Sequence, residues 1–115
     1  MKIFFFLVFL SFSLPAAAQK KAAALHGAIA FHQASGSVGW ATDRRTAREA
    51  QTEALKQCGH EQCVVVANVS RGCVALAKDS SKTVVQKGAT QQEAETKAMG
   101  KCGALCQIAA WVCTK

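Results

Sequence analysis

The segment TAREAQTEALKQCG (residues 46–59) returns as TQQEAETKAMGKCG (residues 90–103), at a constant offset of 44 residues. Each copy opens with the T-x-x-E pattern of a capping box, in which the threonine hydroxyl and the glutamate carboxylate bind free amides at a helix start. Two alanines and a cysteine then recur at i, i+4 and i+8, which places small residues on one helix face. A glycine follows, as is typical of the left-handed position that ends a helix. The two segments therefore predict two equivalent helices.

Short apolar runs around each helix predict β-strands. Residues 28–31 and 37–40 flank a cluster of turn residues, which is typical of a β-hairpin. Residues 63–69 and 106–113 follow the two helices and are apolar on both faces. We therefore expect a hairpin before each helix and a central strand after it.

The whole pattern predicts a single α+β domain over residues 27–115, made of two tandem β-β-α-β repeats with pseudo-twofold symmetry. The copies span about residues 27–70 and 73–113, and residues 27–31 align with residues 73–77 at their starts. Residues 70–72 form a turn that is too short to separate two domains. Each copy would bury its apolar face against the other.

Residues 1–18 have the organisation of a secretory signal peptide. Lys2 supplies a positive charge, residues 3–14 form an apolar run, and residues 15–18 provide the small residues of a cleavage site. The run is well short of the roughly 20 residues that a membrane-spanning helix needs. We expect cleavage after Ala18, a flexible lead over residues 19–26, and a periplasmic or secreted product with no transmembrane segment.

Composition limits the partners that the exported chain can have. The full chain has 14 basic and 7 acidic residues, a formal net charge of +7. Five of the six phenylalanines lie before residue 19, so the exported part keeps Phe31, Trp40 and Trp111 as its aromatic residues. Proteins that bind single-stranded nucleic acid add stacking aromatics to a basic groove. The composition therefore argues against a nucleic-acid partner.

Basic residues cluster at the start of the first predicted helix. Arg44, Arg45 and Arg48 lie where the helix dipole is already positive, so we predict an anion or partner contact there. Five lysines follow along the second copy: Lys78, Lys82, Lys87, Lys97 and Lys101. Such a charge distribution attracts nucleic acid, anionic lipid or an acidic protein over long range, and of these the composition disfavours nucleic acid.

Six cysteines in an exported chain of this size indicate disulfides, although fifteen pairings are possible. The repeat positions favour a bridge across each helix-to-strand turn and a third bridge from the start of the second copy to its last strand. The favoured pairs are Cys58 with Cys63, Cys102 with Cys106, and Cys73 with Cys113. The alternative is a zinc site, because C-x4-C and C-x3-C have roughly metal-ligand spacing. A redox role is disfavoured, since there is no C-x-x-C motif.

The remaining polar residues form no recognisable catalytic group. Glu49 and Glu93 are assigned to the caps, and Glu53, Glu61 and Glu95 to solvated surface. Three histidines, His26, His32 and His60, have no acidic or cysteine partner at motif spacing, although His26 and His32 share strand parity. Ser35 lacks the G-x-S-x-G elbow. We predict no enzyme, no cofactor and no metal.

The order of these elements resembles an uncharacterised family of secreted bacterial proteins, domain of unknown function 4189. The likeness rests on the Gly-Trp, Glu-Ala, Cys-Gly, Cys-x-Ala-Leu-Ala and Ala-Trp-Val-Cys elements between Gly27 and Cys113. It implies a small exported bacterial domain and supplies no activity or catalytic residue. Residues 84–86 read Val-Val-Gln where the second repeat of such proteins often has Gly-Trp.

Two functions follow from these features. The favoured one is a small exported non-enzymatic binding protein whose cationic edge contacts an acidic protein, such as an inhibitor or immunity-type protein acting on an envelope-directed partner. The alternative is an exported effector or surface-associating cationic protein that binds anionic envelope polymers or lipid. Binding that resists salt would favour the first, and binding that salt abolishes would favour the second.

Overall fold

The computed structural model describes residues 23–115 of the chain. Its eight elements follow the order β-β-α-β-β-β-α-β. The strands are β1 His26–His32, β2 Ser37–Arg44, β3 Val64–Ser70, β4 Gly72–Lys78, β5 Thr83–Gly88 and β6 Gln107–Thr114, and the helices are α1 Ala47–Cys58 and α2 Gln91–Cys102. The predicted signal peptide and its cleavage site lie outside the described residues.

Two antiparallel three-stranded sheets pack face to face at the centre of the domain. Their strand orders are β2-β1-β3 and β5-β4-β6. The main core lies between them and consists of Ile29, Phe31, Ala67, Val69, Val74, Leu76, Ala110 and Val112. Helix α1 covers the outer face of the first sheet and α2 that of the second, through clusters of alanine and cysteine. The layers are therefore helix, sheet, sheet, helix, and the α+β class is as predicted.

Small side chains allow each helix to lie close to its sheet. Ala50, Ala54 and Cys58 are buried in α1, and the corresponding positions of α2 are buried as well. Gly39 of β2 lies directly beneath α1, because a Cβ placed there would overlap the carbonyl oxygen of Ala54. The predicted stripe of small residues is thus the surface that each helix presents to a sheet.

Strands β3 and β6 lie at sheet edges, so the prediction that they are central is wrong. Each strand has one face toward the opposite sheet and the other toward a helix. In β3, Ala67 belongs to the core between the sheets, whereas Val65 packs against the α1 cluster. Both faces are covered although one edge is unpaired, which explains the apolar pattern on both sides.

The ladder between β1 and β3 has the same register as the ladder between β4 and β6. Ile29 pairs with Ala67, Leu76 pairs with Ala110, and each ladder contains a bulge immediately after that pair. Ile29 therefore occupies the place of Leu76. The sequence alignment of residues 27–31 with residues 73–77 set Ile29 against Ala75, and it is wrong by one position, because Ala75 faces α2 instead of the core between the sheets.

Threonine caps begin both helices. The hydroxyl oxygen of Thr46 accepts from the Glu49 amide, and that of Thr90 accepts from the Glu93 amide, each at 3.1 Å. Within residues 23–115 neither glutamate carboxylate accepts from the amide of its cap threonine; Glu93 instead accepts from the amide of Ala89, one residue before the cap, at 3.0 Å. The threonine half of the predicted box therefore forms at both helices, and at α2 the glutamate binds the amide that precedes the cap.

The glycines that end the helices differ in conformation. Gly59 has φ 69° and ψ 14°, the predicted left-handed conformation. Gly103 has φ 112° and ψ 178°, so the left-handed prediction is wrong there. Both amides still donate to a carbonyl four residues earlier, which closes the last turn in each case.

Three disulfides and one contact between the chain ends cross-link the domain. The structure pairs Cys58 with Cys63, Cys102 with Cys106, and Cys73 with Cys113. These are the pairs that repeat position favoured, and each lies within residues 26–70 or within residues 72–114. The amide of Leu25 donates to the carbonyl of Lys115 at 3.2 Å, so the two ends of the described chain are adjacent.

Candidate functional site

Two tryptophans line one open groove. Trp40 is 47% exposed and Trp111 is 44% exposed, although both are large apolar side chains. The groove has a volume of about 480 Å³, within the range of sites that hold small molecules or side chains. Its other walls come from Thr42, Glu95 and residues 108–113 of β6.

The indoles reach the groove from opposite faces of β6. Trp40 pairs with Ile29, whose side chain lies in the core between the sheets, so Trp40 extends from that core past the edge of β2. Trp111 pairs with Ala75, which lies beneath α2, so Trp111 is on the helix side of the second sheet. The main chain of β6 therefore lies between the two indoles.

The free edge of β6 forms the floor of the groove. Thr42 Oγ1 donates to the carbonyl oxygen of Cys113 at 2.6 Å, so that carbonyl points away from β4. The 4.1 Å between the Cα atoms of Cys73 and Cys113 agrees with a non-hydrogen-bonded pair. Outward-pointing groups alternate along an antiparallel strand, so the amide and carbonyl of Trp111 also face outward. Within residues 23–115 no strand pairs with this edge.

Among the described residues 23–115 that line this groove, Glu95 is the one that carries a charge. Its Oε1 accepts from Gln91 Nε2 at 3.1 Å, which orients the carboxylate on the second turn of α2. The side chain of Glu95, which is predicted to be solvated, is half-buried beside an apolar wall. The groove thus carries a local negative charge on a chain whose net charge is +7.

The three arginines predicted as a partner contact lie where β2 ends and α1 begins. Arg44, Arg45 and Arg48 are all exposed. Arg44 and Arg48 line a shallow depression together with Glu49 and Glu53. Arg44 Nη2 lies 3.8 Å from Glu53 Oε1, so part of the local positive charge is offset. An exposed pair of this kind contributes about 1 kcal/mol or less, which leaves the arginines accessible to a partner.

The structure brings His32 and His60 together, a contact that the sequence did not predict. Their rings stack with centroids 4.1 Å apart and planes 15° apart. His32 Nδ1 lies 2.6 Å from Ser35 Oγ. Within residues 23–115 no carboxylate hydrogen-bonds to either ring, so the pair lacks the third group that would orient a catalytic base. His26 lies at the opposite end of β1, about 20 Å away along the strand, and shares no site with His32.

The described part of the chain has neither a cluster of metal ligands nor a helix that could span a membrane. All six cysteines are paired, and residues 23–115 contain no cluster of three or more histidine, cysteine, aspartate or glutamate side chains that could hold a metal ion. Over the same residues no helix is long and apolar enough to cross a bilayer. Three disulfides are consistent with a location outside the cytoplasm.

Two facing sheets between two helices, with three disulfides, define a small disulfide-linked α+β domain. The chain belongs to the family described as domain of unknown function (DUF4189), whose family model matches residues 26–113. It is also similar to the NMR structure of Rv1813c from Mycobacterium tuberculosis, with 32% sequence identity and a TM-score of 0.61. That match covers 77% of this chain and 74% of the other. No curated protein matches the chain.

Proposed function

We propose that this chain is a small exported, non-enzymatic binding protein that contacts a protein partner through the groove between Trp40 and Trp111. The observation that carries the proposal is the exposure of two tryptophans in one groove on a disulfide-linked frame. Tryptophan is enriched among the residues that dominate binding energy, and these lie in pockets at the centre of interfaces. An inhibitor or immunity-type protein acting on an envelope-directed partner fits this surface.

Export in this proposal rests on the signal-like residues 1–18, with cleavage after Ala18. The exported protein would then remain in the periplasm or leave the cell. The three disulfides support this destination, because disulfides persist in oxidising compartments.

The proposal includes an internal duplication with pseudo-twofold symmetry. Residues 26–70 and 72–114 would be two copies of one β-β-α-β unit, which is supported by equal strand orders and by the shared ladder register and bulge. Trp40 pairs with Ile29 as Val85 pairs with Leu76, so Val85 corresponds to Trp40. In the same way Asn68 corresponds to Trp111, since they pair with Ala28 and Ala75. Helix alignment sets Gln51 against Glu95.

This correspondence indicates whether the two tryptophans serve binding or folding. The edge that corresponds to the groove holds Val85 and Asn68 in place of the two tryptophans. There, Gln51 Nε2 donates to Asn68 Oδ1 at 2.8 Å, and Val85 packs against the main core. If a unit needed an aromatic residue at these positions in order to fold, both edges would carry one. The concentration of both tryptophans at one edge therefore supports a role in binding.

The arginine cluster would form a cationic rim beside the groove. Arg44 lies four residues after Trp40 on β2, about 13 Å away along the strand. Charges at the rim of an interface mainly raise the association rate and make it sensitive to salt. Arg44, Arg45 and Arg48 would thus attract an acidic partner, while the tryptophans hold it.

The experiment captures partners from envelope and culture-supernatant fractions at low and high salt. The bait is the protein exported from the full chain. It is compared with Trp40→Val and Trp111→Asn, which introduce the corresponding residues Val85 of the second copy and Asn68 of the first. Leu105→Ala is the control, because Leu105 is 87% exposed and lies outside the groove. We expect one stoichiometric protein that survives high salt and is lost with either tryptophan variant but not with the control.

The alternative function, an effector or surface-associating protein, is favoured by the net charge of +7. It predicts capture of heterogeneous anionic polymer or lipid, which high salt removes. The parent and its three variants would capture this material equally. Reversal of Arg44 and Arg45 to glutamate would then abolish binding, whereas for the proposed function it would mainly slow association. Partner capture that neither tryptophan substitution changes would contradict the proposal that the groove binds the partner.

A further inference from the structure

We propose that the groove takes an extended strand of the partner, which pairs with the free edge of β6 and sets a lysine or arginine side chain on Trp111 beside Glu95. This inference rests on the proposed function, because it names how the same groove recognises a protein. It commits to a polypeptide strand as the occupant.

The main chain of β6 supports pairing with a further strand. An unpaired sheet edge offers a row of amides and carbonyls that an extended peptide can match. The amide and carbonyl of Trp111 face outward between the indoles, as derived from the Thr42 contact with Cys113. Because Thr42 already occupies the carbonyl of Cys113, pairing would centre on Trp111 and end before Cys113.

The two faces of such a strand would meet different surroundings. Successive side chains of a strand point to opposite faces of the sheet that it joins. On the α2 side they would meet Trp111 and Glu95, and on the other side they would meet Trp40. The pattern recognised is therefore a basic residue flanked on both sides by apolar residues.

The negative charge of Glu95 favours a cationic side chain on the face of the bound strand that lies toward α2. In the described part of the chain, Glu95 is the only charged residue that lines the groove, and its carboxylate accepts a hydrogen bond from Gln91. An indole face attracts lysine and arginine, and a nearby carboxylate adds direct attraction. The corresponding place in the first copy has Gln51 and Asn68, which offer neither an indole nor a charge.

The test selects peptides from a phage-displayed library of random decapeptides, using the protein exported from the full chain. Phage that bind Trp111→Asn are removed at each round. We expect enrichment of peptides that carry a lysine or arginine between two apolar or β-branched residues. Nuclear magnetic resonance of the selected complex should shift both indole N–H signals and protect the amide of Trp111 from exchange.

Two changes to a selected peptide separate the proposed contacts. Methylation of the amides that face β6 should weaken binding at least tenfold, because it removes the strand pairing, whereas methylation of the outward amides should not. Replacing the basic residue by norleucine should weaken binding about threefold to tenfold in the parent and much less in Glu95→Gln. That variant carries the neutral amide found at Gln51 in the other copy, so the fold should be retained, which circular dichroism checks.

Several results would overturn the inference. One is no peptide enriched above the Trp111→Asn background, and another is an acidic consensus. Binding that tolerates methylation of the inward amides excludes strand pairing. Binding of an N-acetylglucosamine tetramer at the indoles in place of peptides would assign the groove to a sugar chain. A captured protein partner that lacks the strand signature would retain the proposed function and remove this inference alone.

Discussion

Glu93 uses both carboxylate oxygens at the start of α2. Oε1 lies 2.9 Å from Lys97 Nζ, and Oε2 accepts from the amide of Ala89 at 3.0 Å. The hydrogen bond from Lys97 and then that from Ala89 hold the pKa of Glu93 below its ordinary value. A carboxylate with a lower pKa in the folded chain stabilises the fold above its unfolded pKa, and this stabilisation is lost as pH falls through the folded pKa.

Glu93→Gln should therefore change how stability depends on pH. We expect the melting temperature of the variant to fall less than that of the parent between pH 6 and pH 3, since the amide cannot gain a proton. Thermal unfolding followed by circular dichroism measures both curves. Glu61→Gln is the control, because Glu61 is exposed in the loop after α1 and should leave the curve unchanged. Parallel curves for parent and Glu93→Gln would contradict the assignment.

Two residues of the groove could not be identified from their own positions in the sequence. Glu95 lies on a helix with a polar surface, and Trp111 interrupts an apolar strand, so each has an ordinary structural explanation. Their partner Trp40 lies 71 residues before Trp111, in the other sheet. If the proposed duplication is correct, the sequence does offer a comparison, since Asn68 and Gln51 would correspond to Trp111 and Glu95.

At the scale of elements, the sequence predicted helices more accurately than strand positions. Thr46 and Thr90 mark the helix starts, because a cap is a local contact within four residues. The sequence predicts β3 and β6 in the centre of a sheet, because the pattern of apolar residues indicates whether the faces of a strand are covered. It does not indicate whether the edges of the strand are hydrogen-bonded. Their free edges arise from the packing of two sheets, which no local pattern encodes.

Contact between β2 and α1 gives a test at this scale. Gly39→Ala should destabilise the domain by about 1–3 kcal/mol or more, because the added methyl overlaps the main chain of α1. Gly100→Ala is the matched control: its Cβ would have nothing within 4 Å, and alanine in a helix interior should stabilise by about 0.5–1 kcal/mol. Urea unfolding of both variants measures the difference. Equal effects would mean that α1 has room to move away from β2.

At the scale of the whole molecule, the disulfides differ in how much chain they enclose. Cys73 and Cys113 are 40 residues apart, whereas Cys102 and Cys106 are 4 apart. The chain-entropy relation gives about 4 kcal/mol for the longer loop and about 2 kcal/mol for the shorter one. Replacing Cys73 and Cys113 by alanine should therefore destabilise the domain by roughly twice as much as replacing Cys102 and Cys106.

Guanidinium unfolding of the two double variants checks this order. Mass spectrometry of each purified variant should show that the other two disulfides remain. If loss of the shorter bridge proves more damaging, its role is to hold the turn between α2 and β6, and loop length does not determine the order.

The sequence predicted the α+β class of fold and the cysteine pairs, but not the arrangement of the layers. Small residues in both helices indicate that each lies on a sheet, yet they leave open which faces of the two sheets meet. The stacking of His32 on His60 was missed for the same reason, because it joins a hairpin to a loop 28 residues later. Contacts between elements depend on their relative placement, and local patterns do not specify it.

Because Leu25 lies next to Lys115, the order of residues 26–70 and 72–114 along the chain can be exchanged without moving either segment in the fold. A circular permutant that joins these ends through a few glycines and opens the chain at the turn between Ser70 and Gly72 would be synthesised with its halves exchanged. No disulfide crosses that turn, so all three can form in the permuted chain. We expect it to unfold in one cooperative transition and to keep both tryptophans in the same groove, with an emission spectrum equal to that of the parent.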